Sequence, residues 1–398
     1  MKLVVLTNIL APYRIPLFES LKRRVGEFTV LLMAKREENR QWEIGAVPFK
    51  TELLPGFHVR PGGHEVSLHI NYGVLRVLRR LAPDVVLSGG FAPANVAALL
   101  YCKLYRRRFV GWGELTLRDG ADSSFLRRGL RRWVTTQSDG SIASSSDARE
   151  AFLHYGGPTH RTLLCLMPID VDQFRRRTEA FRRTAEWRRM RAQYPGPVLL
   201  SVGRLTDSKG YPELFKMYRR ILEVLPEVSL VIVGDGPERG RYQKHVRDRG
   251  WKNVRFSGFV QADELPRYLA VSDLFVFPTR FDRYGAVLGE AMAAGLPVVS
   301  SIPASATKDL VEDGKTGFRI DPQDIDTAAA TIVKALEMTA GEREAMTTAA
   351  YARVKQLDSD AAADSMTGFF LSLLDPGRCS DAVLGQAKAG KEIGAHDA

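Results

Sequence analysis

Residues 272–300 read SDLFVFPTRFDRYGAVLGEAMAAGLPVVS. The apolar run 274–277 predicts a short buried strand, and the polar residues 278–283 break it. A helical stretch follows over about 285–294. Gly295 closes it, and Leu296, Pro297, Val298 and Val299 open the next strand. A strand–loop–helix–strand unit of this kind presents a ligand at the carboxyl ends of the strands of a parallel sheet. Asp282 in the loop and Glu290 in the helix frame that place. Eight residues of pure helix would set them about 80° apart; with Asp282 ahead of the helix, both can face a ligand lying over its N-terminus. There the amides of Gly285, Ala286 and Val287 lack partners within the helix, and the dipole favours an anion. An anion on amides, with carboxylates left for hydroxyl groups, describes a sugar nucleotide. The alternative for Asp282 is a helix N-cap. For Glu290 it is a solvated carboxylate, which its small and apolar neighbours disfavour.

Outward from this stretch, strand and helix alternate through the whole chain. In the first half, strands are expected at 3–7, 28–33, 84–87, 109–112, 141–144 and 163–166, and helices at 12–24, 71–81, 95–105, 125–137 and 147–155. Residues 34–66 read as irregular. After Pro168 a basic helical segment (182–194) leads to Pro195, Gly196 and Pro197, and the alternation restarts. Strands are expected at 198–202, 229–233 and 254–256, with helices at 212–225, 238–249 and 264–270 before the unit above, and at 305–312, 325–338, 341–355 and 359–374 after it. This pattern predicts an α/β protein of two Rossmann-like, doubly wound parallel-sheet domains, at 1–168 and 169–375. Residues 376–398, small and polar, read as a disordered tail.

The chain of 398 residues has a net charge of +11. Residues 1–176 hold 26 Lys and Arg against 16 Asp and Glu, and the remainder holds 31 against 30, so the excess belongs to the first half. It is clustered at Arg106–Arg108, Arg127–Arg128, Arg131–Arg132 and Arg175–Arg177. No nucleic-acid motif accompanies these clusters, so nucleic acid is not expected as a partner. They suit an anionic membrane surface or a phosphate-bearing acceptor, or else they are solvated helix faces. The N-terminal apolar run is too short for a signal peptide. The longest apolar segment, 85–101, is broken by Gly89, Gly90, Pro93 and Asn95. Cys102, Cys165 and Cys379 lie far apart without metal spacing, which fits a reducing cytosol. The expected location is cytoplasmic, peripheral to the inner face of the membrane.

Three further segments carry chemistry. In SVGRLTDSKG (201–210) Gly203 permits a tight turn directly off a strand, and Arg204 and Lys209 flank the place where a diphosphate would lie. GDGPER (234–239) is a strand-to-helix turn around Gly234. FSGFV (256–260) ends another strand with Phe259 and Val260. Asp-x-Asp pairs at 170–172, 324–326 and 358–360 raise a divalent metal as an alternative, but the two cations of 201–210 already supply the charge a metal would bring.

Taken together, these motifs resemble the retaining glycosyltransferases of family 4 (glycosyl transferases group 1), which have the GT-B fold; the resemblance implies two domains facing across a cleft, an acceptor-side domain at 1–168 and a nucleotide-sugar domain at 169–375. The family's signature Glu-x7-Glu, followed by Ala-Met-Ala-Ser/Ala-Gly-x-Pro-Val, is here Asp282-x7-Glu290 with AMAAGLPVV, the first carboxylate one methylene shorter. SVGRLTDSKG matches the family's Gly-Arg-x4-Lys-Gly segment, and IDVDQF (169–174) loosely matches its interdomain segment. The resemblance covers nearly all of the second half by motif and the first half by architecture. It implies that Arg204 and Lys209 bind the donor diphosphate and stabilise the leaving nucleotide, with Gly203 in the turn between strand and cation. By the same resemblance Glu290 accepts from the ribose hydroxyls. Asp282, with the amides of Gly285, Ala286 and Val287, holds the hexose. Gly234, Phe259 and Val260 lie toward the base. In the first half the glycine pair of the family's first loop is missing from Asn8–Arg14, leaving Tyr13 and Arg14 there. Where many relatives carry a histidine, Glu114 stands, to orient an acceptor hydroxyl or as a structural carboxylate. The implied activity is transfer of a hexose from a nucleotide sugar to a hydroxyl of a sugar or lipid-linked acceptor with retention, without metal or other cofactor, in glycan, glycolipid or polysaccharide assembly. A sugar-nucleotide epimerase of the same fold, or a catalytically silent nucleotide-sugar-binding protein, are the alternatives.

Overall fold

The computed structural model describes residues 1–37, 41–59, 68–118 and 124–375. It falls into two compact units. One comprises residues 1–168 together with the helix that begins at Ser359, and the other residues 169–358.

In the first unit the strands are β1 (Lys2–Thr7), β2 (Glu27–Leu32), β3 (Lys50–Leu53), β4 (Phe57–Val59), β5 (Leu68–Ile70), β6 (Val85–Gly89), β7 (Arg108–Gly113), β8 (Gly140–Ala143) and β9 (Thr162–Leu164). The helices are α1 (Ile15–Arg24), α2 (Val74–Leu81), α3 (Pro93–Leu104), α4 (Phe125–Gln137) and α5 (Ser146–His154). Seven strands form one parallel sheet in the order β3-β2-β1-β6-β7-β8-β9, while β4 and β5 pair antiparallel to each other. Because helices cover both faces, β1 buries every residue from Leu3 to Thr7 instead of alternating. On one face Leu17, Phe18 and Leu21 of α1 pack over Val5, Val30 and Val110. On the other, Val77 and Leu78 of α2, Ala98 and Leu99 of α3 and Val134 of α4 pack over Val4, Leu6 and Val86.

The second unit begins with α6 (Val171–Arg182) and α7 (Ala185–Arg191). Then come β10 (Val198–Val202), α8 (Tyr211–Val224), β11 (Ser229–Val233), α9 (Arg239–Asp248), β12 (Val254–Gly258), α10 (Leu265–Val271), β13 (Leu274–Phe277), α11 (Ala286–Ala293), β14 (Val298–Ser301), α12 (Ser305–Leu310), β15 (Phe318–Ile320), α13 (Ile325–Leu336) and α14 (Ala340–Val354). Its six strands are parallel in the order β12-β11-β10-β13-β14-β15. Numbered within the unit, that is 3-2-1-4-5-6. The order reverses between β10 and β13, and ligands bind outside the carboxyl ends of the strands at such a reversal.

Several expectations are corrected. The last helix, α15 (Ser359–Leu374), does not belong to the second domain, for which the sequence predicts the span 169–375. It instead covers the first sheet, where Met366, Phe369 and Phe370 pack with α1, and Arg24 bridges to Asp364 at 2.6 Å. Residues 34–66 are not wholly irregular, since β3 completes the edge of the first sheet. β15 was not expected at all; it is three residues long and adds a sixth strand beside β14. The basic segment 182–194 is not one helix: α6 ends at Arg182 and α7 spans only Ala185–Arg191, after a break at Thr184, whose hydroxyl accepts from the Trp187 amide. The expected tail, 376–398, lies outside the described residues.

Candidate active site

At the carboxyl ends of β10, β11 and β12 three glycines stack backbone against backbone. The Gly203 amide donates to Val233 O at 3.0 Å and the Gly234 amide to Gly258 O at 2.8 Å. Gly234 holds φ at +138°, and a Cβ there would sit 2.0 Å from Gly203 O, so no other residue fits. This brings the turns containing Gly203 and Arg204, Gly234, and Phe259 and Val260 side by side at one edge of the sheet.

The loop after β10 is locked to the loop after β13. A short turn (Asp207–Lys209) ends at Gly210, φ +72°, whose Cβ would lie 1.9 Å from Pro278 O. Ser208 O accepts from the Arg280 amide at 2.9 Å and from the Thr279 hydroxyl at 3.0 Å. Arg280 Nε in turn donates to Glu213 Oε2 at 3.0 Å, in the first turn of α8. Through these contacts Lys209 Nζ meets Asp282 Oδ2 in an ion pair whose side chains are mostly buried. Two candidates 73 residues apart in sequence thus share one site.

Asp282 does not cap the following helix. The N-cap is Gly285, φ +96°, without a side-chain cap bond, and a Cβ there would meet the Phe277 ring at 2.6 Å. The Asp282 carboxylate instead faces Lys209 and, at 3.3 Å, the Tyr284 amide. The first backbone bond at the start of α11 is from the Leu288 amide to Gly285 O, at 3.0 Å. The amides of Ala286 and Val287 precede it at the positive end of the helix dipole. One turn on, burial pushes the Glu290 carboxyl up to about 7. Among the described residues that carboxylate has no hydrogen-bond or ion-pair partner. A polar group held in this state is set for a ligand hydroxyl.

Glu114 lies in the first unit, just beyond β7. It accepts from Arg14 Nη2 at 3.1 Å, and Arg14 also donates to the Thr7 hydroxyl at 3.1 Å and lies over the Trp112 ring at 4.3 Å. The Asp-x-Asp pairs serve the fold. Asp170 caps α6 through the Gln173 amide, and Asp172 accepts from the Tyr351 hydroxyl. Asp324 caps α13, and Asp326 pairs with Arg220. Asp360 pairs with Arg23 and Arg24. Among the described residues no group of three or more His, Cys, Asp or Glu is placed to hold a metal ion. The thiols of Cys102 and Cys165 are pushed up to about 12 by burial, which leaves them unreactive.

The model of the family described as "Glycosyl transferases group 1" matches residues 185–353, the span that contains this whole constellation. Residues 185–353 are a domain of the glycosyl transferases group 1. A GDP-mannose-dependent alpha-(1-6)-phosphatidylinositol monomannoside mannosyltransferase of Mycobacterium tuberculosis is 30% identical over 274 residues, which are 67% of this chain and 66% of that protein. The sulfoquinovosyl transferase of Arabidopsis thaliana is 34% identical over 133 residues, 33% of this chain and 24% of its own length. The chain thus aligns with less than two thirds of these relatives. Among solved structures, Anabaena HepE in complex with UDP and glucose superposes with a TM-score of 0.73 at 21% identity, covering 94% of this chain and 100% of that one. That likeness is one of fold, the GT-B fold.

Sequence reasoning missed the support beneath the site. Glu213, Arg280, Ser208 and Thr279 fix the two loops, yet Arg280 and Glu213 are 67 residues apart and follow no local period. A buried glutamate in the first turn of an amphipathic helix was the one available signal, since it requires a cation from elsewhere.

Proposed function

We propose that this chain moves a hexose from a nucleoside-diphosphate sugar to a hydroxyl of a sugar or lipid-linked acceptor, with retention and without a metal ion. One observation carries the reading. The Lys209–Asp282 pair, the leading amides of α11 and the unpartnered Glu290 carboxylate meet at the strand-order reversal of the second unit. Such a set matches the three parts of the donor. Cations and amides neutralise a diphosphate, Glu290 accepts from ribose hydroxyls, and Asp282 accepts from the hexose.

In the transfer, the bond from the anomeric carbon to the phosphate oxygen breaks, and the acceptor oxygen bonds to that carbon on the face the nucleotide leaves. The acceptor proton passes to the departing phosphate. Arg204, Lys209 and the α11 amides stabilise the charge that develops on the diphosphate, which is why no metal is required. The mannosyltransferase named for GDP-mannose and the structure holding UDP support a nucleoside-diphosphate donor of one of these two bases.

The test combines UDP-glucose and GDP-mannose turnover with proton NMR of the product anomer. Lys209→Ala is expected to lower turnover by about two orders of magnitude while thermal unfolding stays cooperative. EDTA should leave the rate unchanged. Inversion at the anomeric carbon would sink the retaining assignment, and activity lost to EDTA and restored by manganese would sink the metal-free one.

A further inference from the structure

Helix α4 (Phe125–Gln137, FLRRGLRRWVTTQ) is built unlike the other helices of its sheet face. Only Val134 and Thr135, at its C-terminal end, are buried. Phe125 and Leu126 are each 79% exposed, and Leu130 and Trp133 are exposed as well. At about 100° per residue, Phe125, Gly129, Trp133, Leu126 and Leu130 fall within one arc of about 140°. Arg127, Arg128, Arg131 and Arg132 occupy the remaining arc and border the apolar one on both sides. The helix has no carboxylate.

Arg131 leans on Tyr155, 6.0 Å from the ring centroid. Among the described residues, no partner holds Arg127, Arg128 or Arg132. Gly129 sits mid-helix with open space where a Cβ would be, so it contributes neither packing nor helix propensity. A helix that buries so little of its own surface lacks the tertiary contact that normally stabilises one.

The neighbouring helices extend the pattern. α3 packs beside α4 and exposes Leu100 and Leu104 next to Lys103. Across α2, α3 and α4 there are eight Lys and Arg and no Asp or Glu. Some of this charge is answered from strand ends, Arg80 by Glu52 and Lys103 by Asp139 at 4.0 Å. Among the described residues Arg127, Arg128 and Arg132 are not.

We propose that α4 is a membrane-docking helix that lies in the plane of an anionic lipid surface, with Phe125, Leu126, Leu130 and Trp133 sunk below the headgroups and Arg127, Arg128 and Arg132 on lipid phosphates. An apolar arc edged by guanidinium groups on both sides is the form a helix takes at a bilayer surface, where the apolar side enters the acyl boundary and the cations meet the headgroups. The contact is superficial: among the described residues no helix is long and apolar enough to cross a membrane. The inference rests on α4 alone and is independent of the transfer reading.

The test is co-sedimentation of the full chain with vesicles of equimolar phosphatidylglycerol and phosphatidylcholine, against phosphatidylcholine alone. Binding is expected only to the anionic vesicles, with Trp133 becoming shielded from iodide. A triple variant, Phe125→Ser, Leu126→Ser and Trp133→Ser, keeps every charge and is expected to partition at least about tenfold more weakly. Arg127→Gln, Arg128→Gln and Arg132→Gln should cost a similar factor at low salt and less at high salt. All substituted side chains are exposed, and thermal unfolding checks that each variant folds. No binding of the unmodified chain to anionic vesicles at low salt overturns the proposal. So does a serine variant that binds as well as the parent. Self-association abolished by the serine changes, without vesicle binding, would assign the face to a second protein surface and also overturn it.

Discussion

Glu290 is where burial turns into a measurable pH effect. Its carboxyl is raised by desolvation from an ordinary value near 4.5 to about 7, so the folded chain holds that proton more tightly than the unfolded chain. The associated stability is fully present below about 4.5 and is lost as pH rises through about 7. Glu290→Gln removes this loss. The variant should gain stability relative to the parent at pH 8 compared with pH 5, by at most about 3 kcal/mol, as urea unfolding at the two pH values would measure. Ligand binding runs the other way. If ribose hydroxyls donate to Glu290, the complex needs the carboxylate, and affinity for UDP or GDP should fall about tenfold per pH unit below 7. In Glu290→Gln the pH dependence should vanish along with most of the affinity. Calorimetric titration between pH 5.5 and 8 reads both, and a parent chain whose affinity is flat over that range would remove Glu290 from the nucleotide contact. Glu290 and Arg204 were legible as candidates from motif spacing. The Lys209–Asp282 pair was not, because its geometry is set by Gly210 pressed against Pro278 O, a contact between two loops.

At the level of elements, the sequence announces what is long and periodic and hides what is short. Strands β10, β11 and β13 are apolar runs interrupted only by Ser201 and Ser229, and their positions follow from that. β15 escaped because three residues with an exposed Arg319 at the centre make no readable period. The turns after the strands are a middle case. GDGPER announces a turn, but only the structure gives the reason for its first glycine, the approach of Gly203 O to within 2.0 Å of where a Cβ would stand. Gly234→Ala therefore combines strain at positive φ with a backbone clash, and should cost about 1–3 kcal/mol or more. Gly240, in the first turn of α9, has nothing within 4 Å of its absent Cβ. Gly240→Ala should be neutral or stabilising by up to about 1 kcal/mol. Chemical denaturation of the two variants side by side tests the assignment, and equal effects would mean that the β10–β11 turn can relax.

Over the whole molecule the unexpected feature is the return of the chain. It leaves the first unit after Pro168 and re-enters it at Ser359, so the first unit is completed by the last described helix. The apolar stripe Ala362, Ala363, Met366, Phe369, Phe370 and Leu373 shows that this helix is buried on one side, but a stripe does not say which sheet it covers. Its destination is fixed by long-range matches. Gly140 begins β8 with no side chain, and a Cβ there would meet the Phe369 ring at 2.6 Å. On the outer side Arg24 holds Asp364 and Asp360, and this bonding depresses the Asp360 carboxyl to about 2. The energetic weight lies in the apolar side. Burial of large side chains such as Met366, Phe369, Phe370 and Leu373 contributes roughly 1.5–3 kcal/mol each, which together rivals the net stability of about 5–15 kcal/mol of a whole domain. A chain ended at Asp358 should therefore fail to form a stable first unit, and would aggregate or lose the corresponding thermal transition. A chain ended at Asp375 keeps α15 and serves as the control, with a melting temperature expected to match the parent. If the chain ended at Asp358 unfolded at the same temperature as the control, α1 and the exposed side of the first sheet would have to be stable without α15. The burial of Phe369 and Phe370 would then be a surface contact and no part of the core.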